Sequence, residues 1–465
     1  MTERPIKAYR LRPASRAIAL ATAAAFAAAQ PAASQGLPLI RDAEIEQLLR
    51  DYTNPVLKIA GLSQQNVQVV IINDRSFNAF VMDGRRIFVN SGALMDAATP
   101  NHIIGVLAHE TGHISGGHLS KMREQLALAQ TQSIIAMLVG LGAMALAARS
   151  GPDSGMGQVG AAALSAPQEI IKRNLLSYVR TQEEAADRAG VKFLNATGQS
   201  AKGMHDTFKK FAEQILFQRN SIDPYVQSHP MPSERVAALQ ELARSSPYWD
   251  KKDPPELQAR HDLMRAKLFG FMERPDTVAR RYPLTDQSLP ARYARAISAY
   301  RHANVRGAVA QVDALIQAQP NNPYFYELKG QALLETGHPA EAIAPLRRAV
   351  QTAPQPALIQ IMLAQALIAT NDAKHAEEAV ALLRTALVKE PEAAEGYAQL
   401  AMAYGKKGDY AQADLASAQA AFARGDNKTA RELAARAKTR FPVGSPGWVK
   451  ADDIVVVKPT AAKKN

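Results

Sequence analysis

The sequence predicts a mainly α-helical protein, with a small β-hairpin or sheet in its first half and an α-solenoid in its second half. Three observations support this fold class. Alanine-rich, helix-forming segments fill the second half. Prolines recur there at nearly regular intervals. In the first half, two short apolar runs flank Asp83 and Gly84, a pair that favours a tight hairpin turn.

The N-terminal residues 1–34 are predicted to be a secretory signal peptide. A basic segment (residues 1–16) precedes an apolar run (residues 17–29), and small residues suited to cleavage follow. A short membrane anchor is the alternative. The apolar run is shorter than the roughly 17–25 residues that a membrane span needs, so we expect an exported protein.

The composition excludes several classes of protein. The chain of 465 residues has no cysteine, which excludes a thiol nucleophile, a thiolate-bound zinc and a disulfide. The formal net charge is +12, but no basic and aromatic motif of a nucleic-acid binder is present. We therefore expect a solvated basic face, or weak attraction to anionic lipid or an acidic envelope polymer, and no nucleic-acid partner.

Residues 35–270 are predicted to form one domain. Residues 68–73 have the pattern of a strand, and the hairpin follows within residues 78–90. A helix is then predicted, with Thr99 as its N-cap and Pro100 at its first position.

A charge-free stretch at residues 125–148 has three interpretations: a buried or partner-covered helix, an interfacial segment at a membrane surface, or a membrane span. Its apolar core is shorter than about 18 residues and contains glycines, which disfavours a span. The helical pattern resumes at Ile170. A further helix follows a proline-punctuated loop, with Ser233 as a candidate cap.

The second half has an internal period. Pro320 and Pro354 lie 34 residues apart, and Pro391 follows at a similar distance. A period near 34 with small residues at helix crossings indicates tetratricopeptide repeats, which stack into a curved array. We predict a linker at residues 271–289, about four repeats over residues 290–442, and a disordered basic tail at residues 443–465. An irregular helical bundle is the alternative.

A metal-binding pattern lies in the predicted helix after Pro100. His109 and His113 are one turn apart, so both imidazoles project from one face and suit tetrahedral zinc. From the next position, Glu110 can reach a water molecule in the open position of the metal and act as general base. This HExxH pattern indicates a zinc hydrolase.

A third histidine ligand is not expected from the same segment. One class of zincins has a histidine six residues after the second ligand, but that position is Leu119 here. His118 would lie about 180° away from His109 on a continuous helix. We therefore expect His118 to be structural, unless the helix breaks at Gly116 and Gly117.

A glutamate from a later helix supplies the third ligand in another class. Glu183 fits this role, and Asp187 lies one turn further on the same face, where it could hold a ligating histidine. Glu184 is the competing ligand, but it is rotated by about 100° from that face. A solvated acidic helix face is the alternative.

The order of the segments resembles the Ste24/CAAX-prenyl-protease family of zinc metallopeptidases. Three segments carry this resemblance: HETGH from residue 109, YVRTQEEAAD from residue 178 and SHPMPSER from residue 228. The hairpin segment is also similar to the strand of that family. The signal peptide and the repeats narrow the resemblance to the periplasmic members. The resemblance spans roughly residue 40 to the end and implies a zincin-type metallopeptidase domain.

The resemblance implies that one Zn²⁺ per chain is held by three side chains, those of His109, His113 and Glu183. Glu110 is then the general base, and Asp187 has a supporting or proton-donating role. His229 matches a loop histidine that can approach the metal, as a fourth ligand or as a donor to the tetrahedral intermediate. A histidine packed against prolines is the alternative. Arg180 and Arg235 match family positions without an assigned role.

The implied function is that of an exported zinc metalloendopeptidase in the periplasm of a Gram-negative bacterium. It would degrade misfolded or misassembled outer-membrane proteins and assist their assembly. An exposed strand of the hairpin would pair with extended substrate. The repeats would contact clients or the outer-membrane assembly machinery, and residues 125–148 could contact a membrane surface. The alternative function is a tetratricopeptide chaperone or scaffold with a latent metal site. A zinc amidase shares the chemistry, but nothing in the sequence recognises sugar.

Overall fold

The computed structural model describes residues 37–147, 156–217, 225, 228–302 and 305–457. These residues form nineteen helices and four short strands, which confirms the mainly α fold with a small sheet followed by a helical array. The predicted signal peptide at residues 1–34 lies outside the described residues.

The four strands form one mixed sheet in the order β1-β2-β4-β3. They are β1 (Leu39–Ile40), β2 (Gln68–Ile72), β3 (Ala79–Val81) and β4 (Arg86–Asn90). Strands β3 and β4 pair antiparallel around Asp83 and Gly84, as the hairpin prediction requires. The rings of Phe80 and Phe88 face each other across this pair and stack at 5.5 Å. Strand β3 forms one edge of the sheet.

Seven helices complete the N-terminal domain. They are α1 (Ala43–Ile59), α2 (Ser91–Asp96), α3 (Pro100–Ser115), α4 (His118–Ala147), α5 (Met156–Ala196), α6 (Lys202–Phe217) and α7 (Ser233–Arg244). Helix α1 begins where Asp42 accepts a hydrogen bond from the Ile45 backbone N–H, and it buries one apolar face. Helix α3 lies at the centre of the domain and packs against both α5 and α6.

Two predicted helix caps differ from the structure in detail. Thr99 occupies the N-cap position of α3 and Pro100 its first turn, but the Thr99 hydroxyl contacts His102 Nδ1 at 2.7 Å instead of capping the helix. Ser233 is the first residue of α7, and Pro232 occupies the N-cap position. The prediction of Ser233 as cap is therefore wrong by one residue, because the φ angle that the ring fixes lets the helix start directly after the proline.

Helices α4 and α5 pack against each other. Helix α5 begins at Met156, before the predicted start at Ile170, since the alanine-rich segment ahead of Ile170 has high helix propensity without an amphipathic period. No helix among the described residues is long and apolar enough to cross a membrane. In the described part of residues 125–148, three large apolar side chains are exposed: Leu126, Leu128 and Ile135. Burial of these three within the chain itself is thus excluded.

About half of the predicted linker is helical. Helix α8 (Pro255–Met272) packs against α10 (Leu289–Arg301), and the short helix α9 (Pro275–Arg281) lies between them in the chain. The linker prediction missed this helix because its seven residues are too few to show a period.

The helical array runs from α10 to α19, and each helix packs on the next. The remaining helices are α11 (Val305–Ala318), α12 (Pro323–Glu335), α13 (Pro339–Thr352), α14 (Ala357–Ala369), α15 (Ala373–Lys389), α16 (Ala394–Lys406), α17 (Tyr410–Ala423), α18 (Asn427–Arg440) and α19 (Pro446–Val456). Helix α19 lies in the predicted disordered tail. Ser445 caps it, and burial of Ala451 and Ile454 holds it on the array, so the predicted end at residue 442 is too early.

The array packs directly on the N-terminal domain. Ala43, at the start of α1, belongs to a buried apolar cluster with Ala349 and Ile359 of the array. Close by, Lys267 of α8 is buried, with its Nζ 2.7 Å from Asp42 Oδ2. The phenol of Tyr293 on α10 donates a hydrogen bond to Glu44 Oε2 at 2.9 Å. The two halves therefore share a buried polar interface.

Candidate metal centre

Helix α3 carries three of the predicted site residues, and two glycines bring α5 close to it. A Cβ at Gly112 would lie 2.8 Å from the Ala186 carbonyl oxygen of α5, closer than real Cβ atoms come. Gly190 of α5 meets the His109 backbone in the same way, at 3.3 Å from its nitrogen. Because these positions lack side chains, the acidic face of α5 lies against the HExxH segment.

Helix α5 contributes Glu183 and Asp187, which are one turn apart and 4% exposed. Glu184 points to solvent instead and approaches Arg188 at 3.7 Å. Of the two glutamates that the sequence offered, Glu183 is therefore the one that reaches the buried cluster.

His229 enters the site from the loop before α7. Its backbone N–H donates to the Tyr225 carbonyl at 2.8 Å, and its ring lies 4.7 Å from the Tyr225 ring. The side chain is buried. The predicted alternative of a histidine packed only against prolines does not describe this position, because the ring contacts Glu183 and His109.

Four side chains converge so that one ligand atom from each lies within 4.8 Å of the others. They are His109, His113, Glu183 and His229. The Nε2 atoms of His109 and His113 are 3.0 Å apart, and His229 Nδ1 is 3.1 Å from Glu183 Oε2. Three imidazole nitrogens and one carboxylate oxygen are a donor set that suits a divalent transition metal, zinc in particular.

Glu110 is fully buried beside this cluster, and neither of its carboxylate oxygens has a hydrogen-bond partner among the described residues. His229 Nε2 lies 3.4 Å from Glu110 Oε1. A buried carboxylate without a hydrogen bond is costly, so Glu110 indicates that a polar group or water belongs in front of it.

Arg235 joins the two acids of α5. Its guanidinium donates to both oxygens of Asp187, at 2.7 and 2.8 Å, and its Nη1 is 2.8 Å from Glu183 Oε2. Asp187 Oδ1 in turn lies 2.9 Å from His109 Nδ1, as expected for a group that orients this imidazole. The role of Arg235 was not predicted from the sequence. Its position at the end of the SHPMPSER segment matches the family, but the sequence does not show which acid its side chain contacts.

The helix that carries HExxH ends before His118, at the two glycines where the sequence analysis allowed for a break. Helix α3 ends at Ser115, Gly117 has a φ of +63°, and α4 starts at His118. His118 is therefore not on the far face. Its Nδ1 lies 3.0 Å from Nδ1 of His113, although it does not belong to the four-residue ligand cluster.

Burial and neighbouring charges shift the pKa values of the site residues in different directions. Burial raises the pKa of Glu110, while it lowers the pKa of His113 well below its usual value, with further help from His109. Burial alone would raise the pKa of Glu183, but His229 and His109 hold it well below its usual value. These directions favour an ionised Glu183 and a neutral His113, the forms that bind metal. Burial alone would lower the pKa of His109, but Asp187 and Glu183 raise it to about 9, so metal binding at His109 displaces a proton.

The cluster opens into a cavity of about 510 Å³. Glu110, His113 and His229 line one part of it, and Phe80 and Val81 of the edge strand β3 line another. The edge strand and the metal-binding cluster thus face the same space, which is large enough for a peptide segment.

Comparison with known proteins agrees with this geometry. Residues 40–243 match the sequence profile of Peptidase family M48, and three overlapping profiles of the tetratricopeptide repeat match residues 293–357, 333–400 and 394–430. These matches confirm the predicted metallopeptidase domain and repeats.

Among curated proteins, the chain is 24% identical over 419 residues to the beta-barrel assembly-enhancing protease of Yersinia pestis, covering 88% of this chain and 82% of that one. It is 24% identical over 345 residues to the protein of the same name from Escherichia coli K12, covering 71% of this chain and 66% of that one. Metalloprotease LoiP of E. coli K12 is 28% identical over 182 residues, covering 39% of this chain and 64% of that one. Together with the buried histidine and glutamate cluster, these findings show that the chain is a metalloprotease, with a peptidase family M48 domain followed by tetratricopeptide repeats.

Proposed function

We propose that this protein is a zinc-dependent endopeptidase of the periplasm of a Gram-negative bacterium. It degrades misfolded or misassembled outer-membrane proteins and assists their assembly. The observation that carries the chemistry is the buried Glu110, which has no hydrogen-bond partner among the described residues and lies beside four convergent ligand atoms. The names of the relatives from Y. pestis and E. coli support the biological setting.

His109, His113 and Glu183 would hold one Zn²⁺ per chain. The donor set of imidazoles and one carboxylate fits zinc, and the chain has no thiolate to compete. Bound zinc supplies Lewis-acid chemistry, which polarises a peptide carbonyl and lowers the pKa of a water molecule.

The chain's own groups supply the proton transfers. Glu110 accepts a proton from the attacking water and passes it to the leaving amine, since its oxygens have no competing hydrogen bond among the described residues. Asp187 holds the ring of His109, and Arg235 holds Asp187. Because these partners are buried, the ligand geometry is fixed before substrate binds.

Extended peptide is the substrate that fits the cavity. Edge strand β3 lies beside the metal-binding cluster, and its free edge can form main-chain hydrogen bonds with an unfolded chain. Such bonds are independent of side-chain identity, which suits the removal of misfolded proteins of varied sequence.

The array and helix α4 suit protein and membrane partners. Three large apolar side chains of α16 and α17 are exposed, those of Met402, Tyr410 and Phe422. We propose that this part of the array contacts clients or the outer-membrane assembly machinery. Leu128 and Ile135, two turns apart on one face of α4, are two exposed apolar side chains for contact with a membrane surface.

A second candidate function is a chaperone or scaffold with a latent metal site, and one observation favours it. His229 Nδ1 lies 3.3 Å from His109 Nε2 and 3.1 Å from Glu183 Oε2, and four protein ligands would leave a tetrahedral metal without an open position for water. Under this candidate function His229 would be a permanent fourth ligand. Under the endopeptidase function it would instead donate a hydrogen bond to the substrate oxygen.

Substitution of Glu110 tests the endopeptidase function. Glu110→Gln should abolish cleavage of an unfolded outer-membrane protein while zinc content, measured by elemental analysis, stays at one per chain. Glu184→Gln, which changes an exposed glutamate of the same domain, should retain cleavage. His229→Ala should retain zinc. It should lower cleavage if His229 donates to the oxyanion, and raise cleavage if His229 only blocks the open position. Absence of stoichiometric zinc from the wild-type chain, or full proteolysis by Glu110→Gln, would contradict the proposed chemistry. Survival of all cellular function in Glu110→Gln would favour the scaffold instead.

A further inference from the structure

His118 contacts a proposed zinc ligand through a break in the helix. Helix α3 ends at Ser115, and the positive φ of Gly117 turns the chain so that α4 starts at His118. A φ of +63° is a left-handed conformation that favours glycine. The turn brings the His118 ring, 8% exposed, back over the end of α3.

The His118 ring packs against Gly116. A Cβ at Gly116 would lie 2.2 Å from His118 Nε2, so any side chain at this position would displace the imidazole. The two glycines therefore have separate effects. Gly117 permits the turn, and Gly116 leaves room for the ring.

The His118 ring meets His113 on the side away from the ligand cluster. The two Nδ1 atoms are 3.0 Å apart, and the ring centres are 5.0 Å apart at an interplanar angle of 83°. On its other side, His113 Nε2 lies 3.0 Å from His109 Nε2 and 3.4 Å from Glu183 Oε1. Nε2 is thus the His113 atom that belongs to the cluster.

A neutral imidazole carries one proton. If Nε2 of His113 offers its lone pair to a metal, Nδ1 carries the proton and must donate it to an acceptor. His118 Nδ1 is at hydrogen-bonding distance, so it is the acceptor and His118 carries its own proton on Nε2. His109 has Asp187 in the equivalent position, 2.9 Å from its Nδ1. The two ligand histidines therefore have different supporting groups.

We propose that His118 is a positioning residue for His113. It accepts a hydrogen bond from the His113 Nδ1–H, which fixes the ring orientation and directs the Nε2 lone pair toward the metal. This inference rests on the proposed zinc function, and it adds a supporting group that is absent from the HExxH pattern. Loss of such a group typically weakens metal binding about 10- to 100-fold.

The test measures zinc affinity by competition with a chromophoric chelator, in full-length chains that all carry Glu110→Gln to prevent self-cleavage. His118→Phe keeps an aromatic ring but removes the acceptor, and should weaken zinc binding about 10- to 100-fold. His118→Asn places an amide oxygen near the position of Nδ1 and should restore most of the affinity. His205→Phe is the matched control, because His205 is equally buried in the same domain but lies outside the cluster. It should bind zinc as the parent chain does.

Two further measurements separate positioning from folding. Gly116→Ala should weaken zinc binding without changing His118, since its methyl group displaces the ring. Thermal unfolding of the metal-free chains should be similar for the parent and His118→Phe. If His118→Phe does not fold, ¹⁵N-histidine NMR of the zinc-loaded parent decides: Nδ1 of His113 should be protonated and Nδ1 of His118 unprotonated.

The outcomes that contradict the proposal are distinct. Unchanged zinc affinity in His118→Phe overturns the positioning role while the zinc function stands, as does the reversed protonation pattern by NMR. Equal weakening in His118→Asn and His118→Phe, with unchanged stability, shows that the hydrogen bond is not the cause. A parent chain that takes up no zinc contradicts the proposed function itself.

Discussion

Arg235 has an unusual number of charged partners for a buried side chain. It is 5% exposed, contacts both Asp187 and Glu183, and lies over the Phe208 ring at 5.3 Å. Hydrogen bonds to Asp187 outweigh the cost of burial and raise the pKa of Arg235 above its usual range. The same hydrogen bonds hold the pKa of the Asp187 carboxyl below its usual value, although burial opposes this. Two buried carboxylates thus depend on one guanidinium.

We predict that Arg235→Leu destabilises the metal-free chain by about 3–5 kcal/mol, because removal of one partner leaves buried charge uncompensated. Arg235→Lys should recover part of this loss, as an ammonium keeps the charge but not the planar fork. Urea unfolding followed by circular dichroism measures both. Arg180→Leu, at an exposed arginine of α5, serves as control and should change little. Equal stability of Arg235→Leu and Arg180→Leu would show that the acids do not need this partner.

Individual residues of the site were predictable to different extents. Helical geometry alone distinguishes Glu183 from Glu184, since about 100° separates neighbouring residues and only one face can point inward. The same geometry places His118 on the wrong side, because it assumes a continuous helix that Gly117 interrupts. The role of Arg235 depends on a loop that returns to α5, and no local pattern in the sequence encodes such a contact.

At the scale of elements, the site depends on how closely α3 and α5 approach each other. Gly112 makes this approach possible, with the Ala186 carbonyl where a side chain would lie. We predict that Gly112→Ala destabilises the N-terminal domain by about 1–3 kcal/mol through overpacking, and that it lowers zinc affinity by shifting Glu183. Gly405→Ala is the control. It lies within helix α16 with no atom within 4 Å of a new Cβ, so it should be neutral or stabilise by up to about 1 kcal/mol.

Unfolding followed at separate probes of the domain and the array measures the effects of these two substitutions. If Gly405→Ala lowered the free energy of unfolding and Gly112→Ala did not, the close packing of α3 on α5 at Gly112 would not be what limits stability. The close approach of α3 to α5 could not be predicted from the sequence. Gly112 occupies an unspecified position of the HExxH pattern, and the pattern does not show which helix packs against it.

Helices α1 and α8 are connected through a buried histidine. His261 Nδ1 contacts the Tyr52 hydroxyl at 2.9 Å, and Nε2 contacts the Ala97 carbonyl oxygen at 2.9 Å. The carbonyl can only accept, so Nε2 carries the proton and Nδ1 accepts from Tyr52. Burial lowers the pKa of His261 to about 4, because a second proton would break the Tyr52 hydrogen bond and place charge in the core.

This lowered pKa predicts a pH dependence of stability. An unfolded histidine has a pKa of about 6.5, so the unfolded chain gains a proton below that pH while the folded chain gains it only near pH 4. The contribution is complete above about pH 6.5 and is lost as the pH falls toward 4, by about 2 kcal/mol between pH 7.5 and pH 5. We expect urea unfolding of His261→Gln to show a smaller loss than the wild type over this interval. Parallel pH profiles for the two proteins would contradict the assignment.

At the scale of the whole molecule, the array is a structural partner of the peptidase domain. Burial alone would lower the pKa of Lys267, but Asp42, Tyr293, Glu44 and Glu327 raise it well above its usual value. Burial also raises the pKa of Glu327 on α12 to about 8. One lysine of the domain thus compensates acids from both halves, and the Ala43 apolar cluster closes around the same contact.

The order of the two halves was predictable from the sequence, and their contact was not. Period and motif identify each half because both signals are local. The buried cluster brings together Asp42, Lys267 and Glu327, which are distant in the chain and have no shared pattern. Each looks like an ordinary surface charge on a helix.

We predict that Lys267→Met loosens the attachment of the array to the peptidase domain. Methionine fills a similar volume but leaves Asp42 and Glu44 without their cation, so destabilisation of about 3–5 kcal/mol is expected. Hydrogen exchange should rise at the start of α1 and in α12, and less in α18, which is far along the array from this contact. Lys329→Met is the control, because Lys329 pairs with Asp313 at the surface of the array and should cost less than about 1 kcal/mol. Equal hydrogen exchange in Lys267→Met and Lys329→Met would contradict this prediction. It would mean that the apolar cluster around Ala43 holds the two halves together without Lys267.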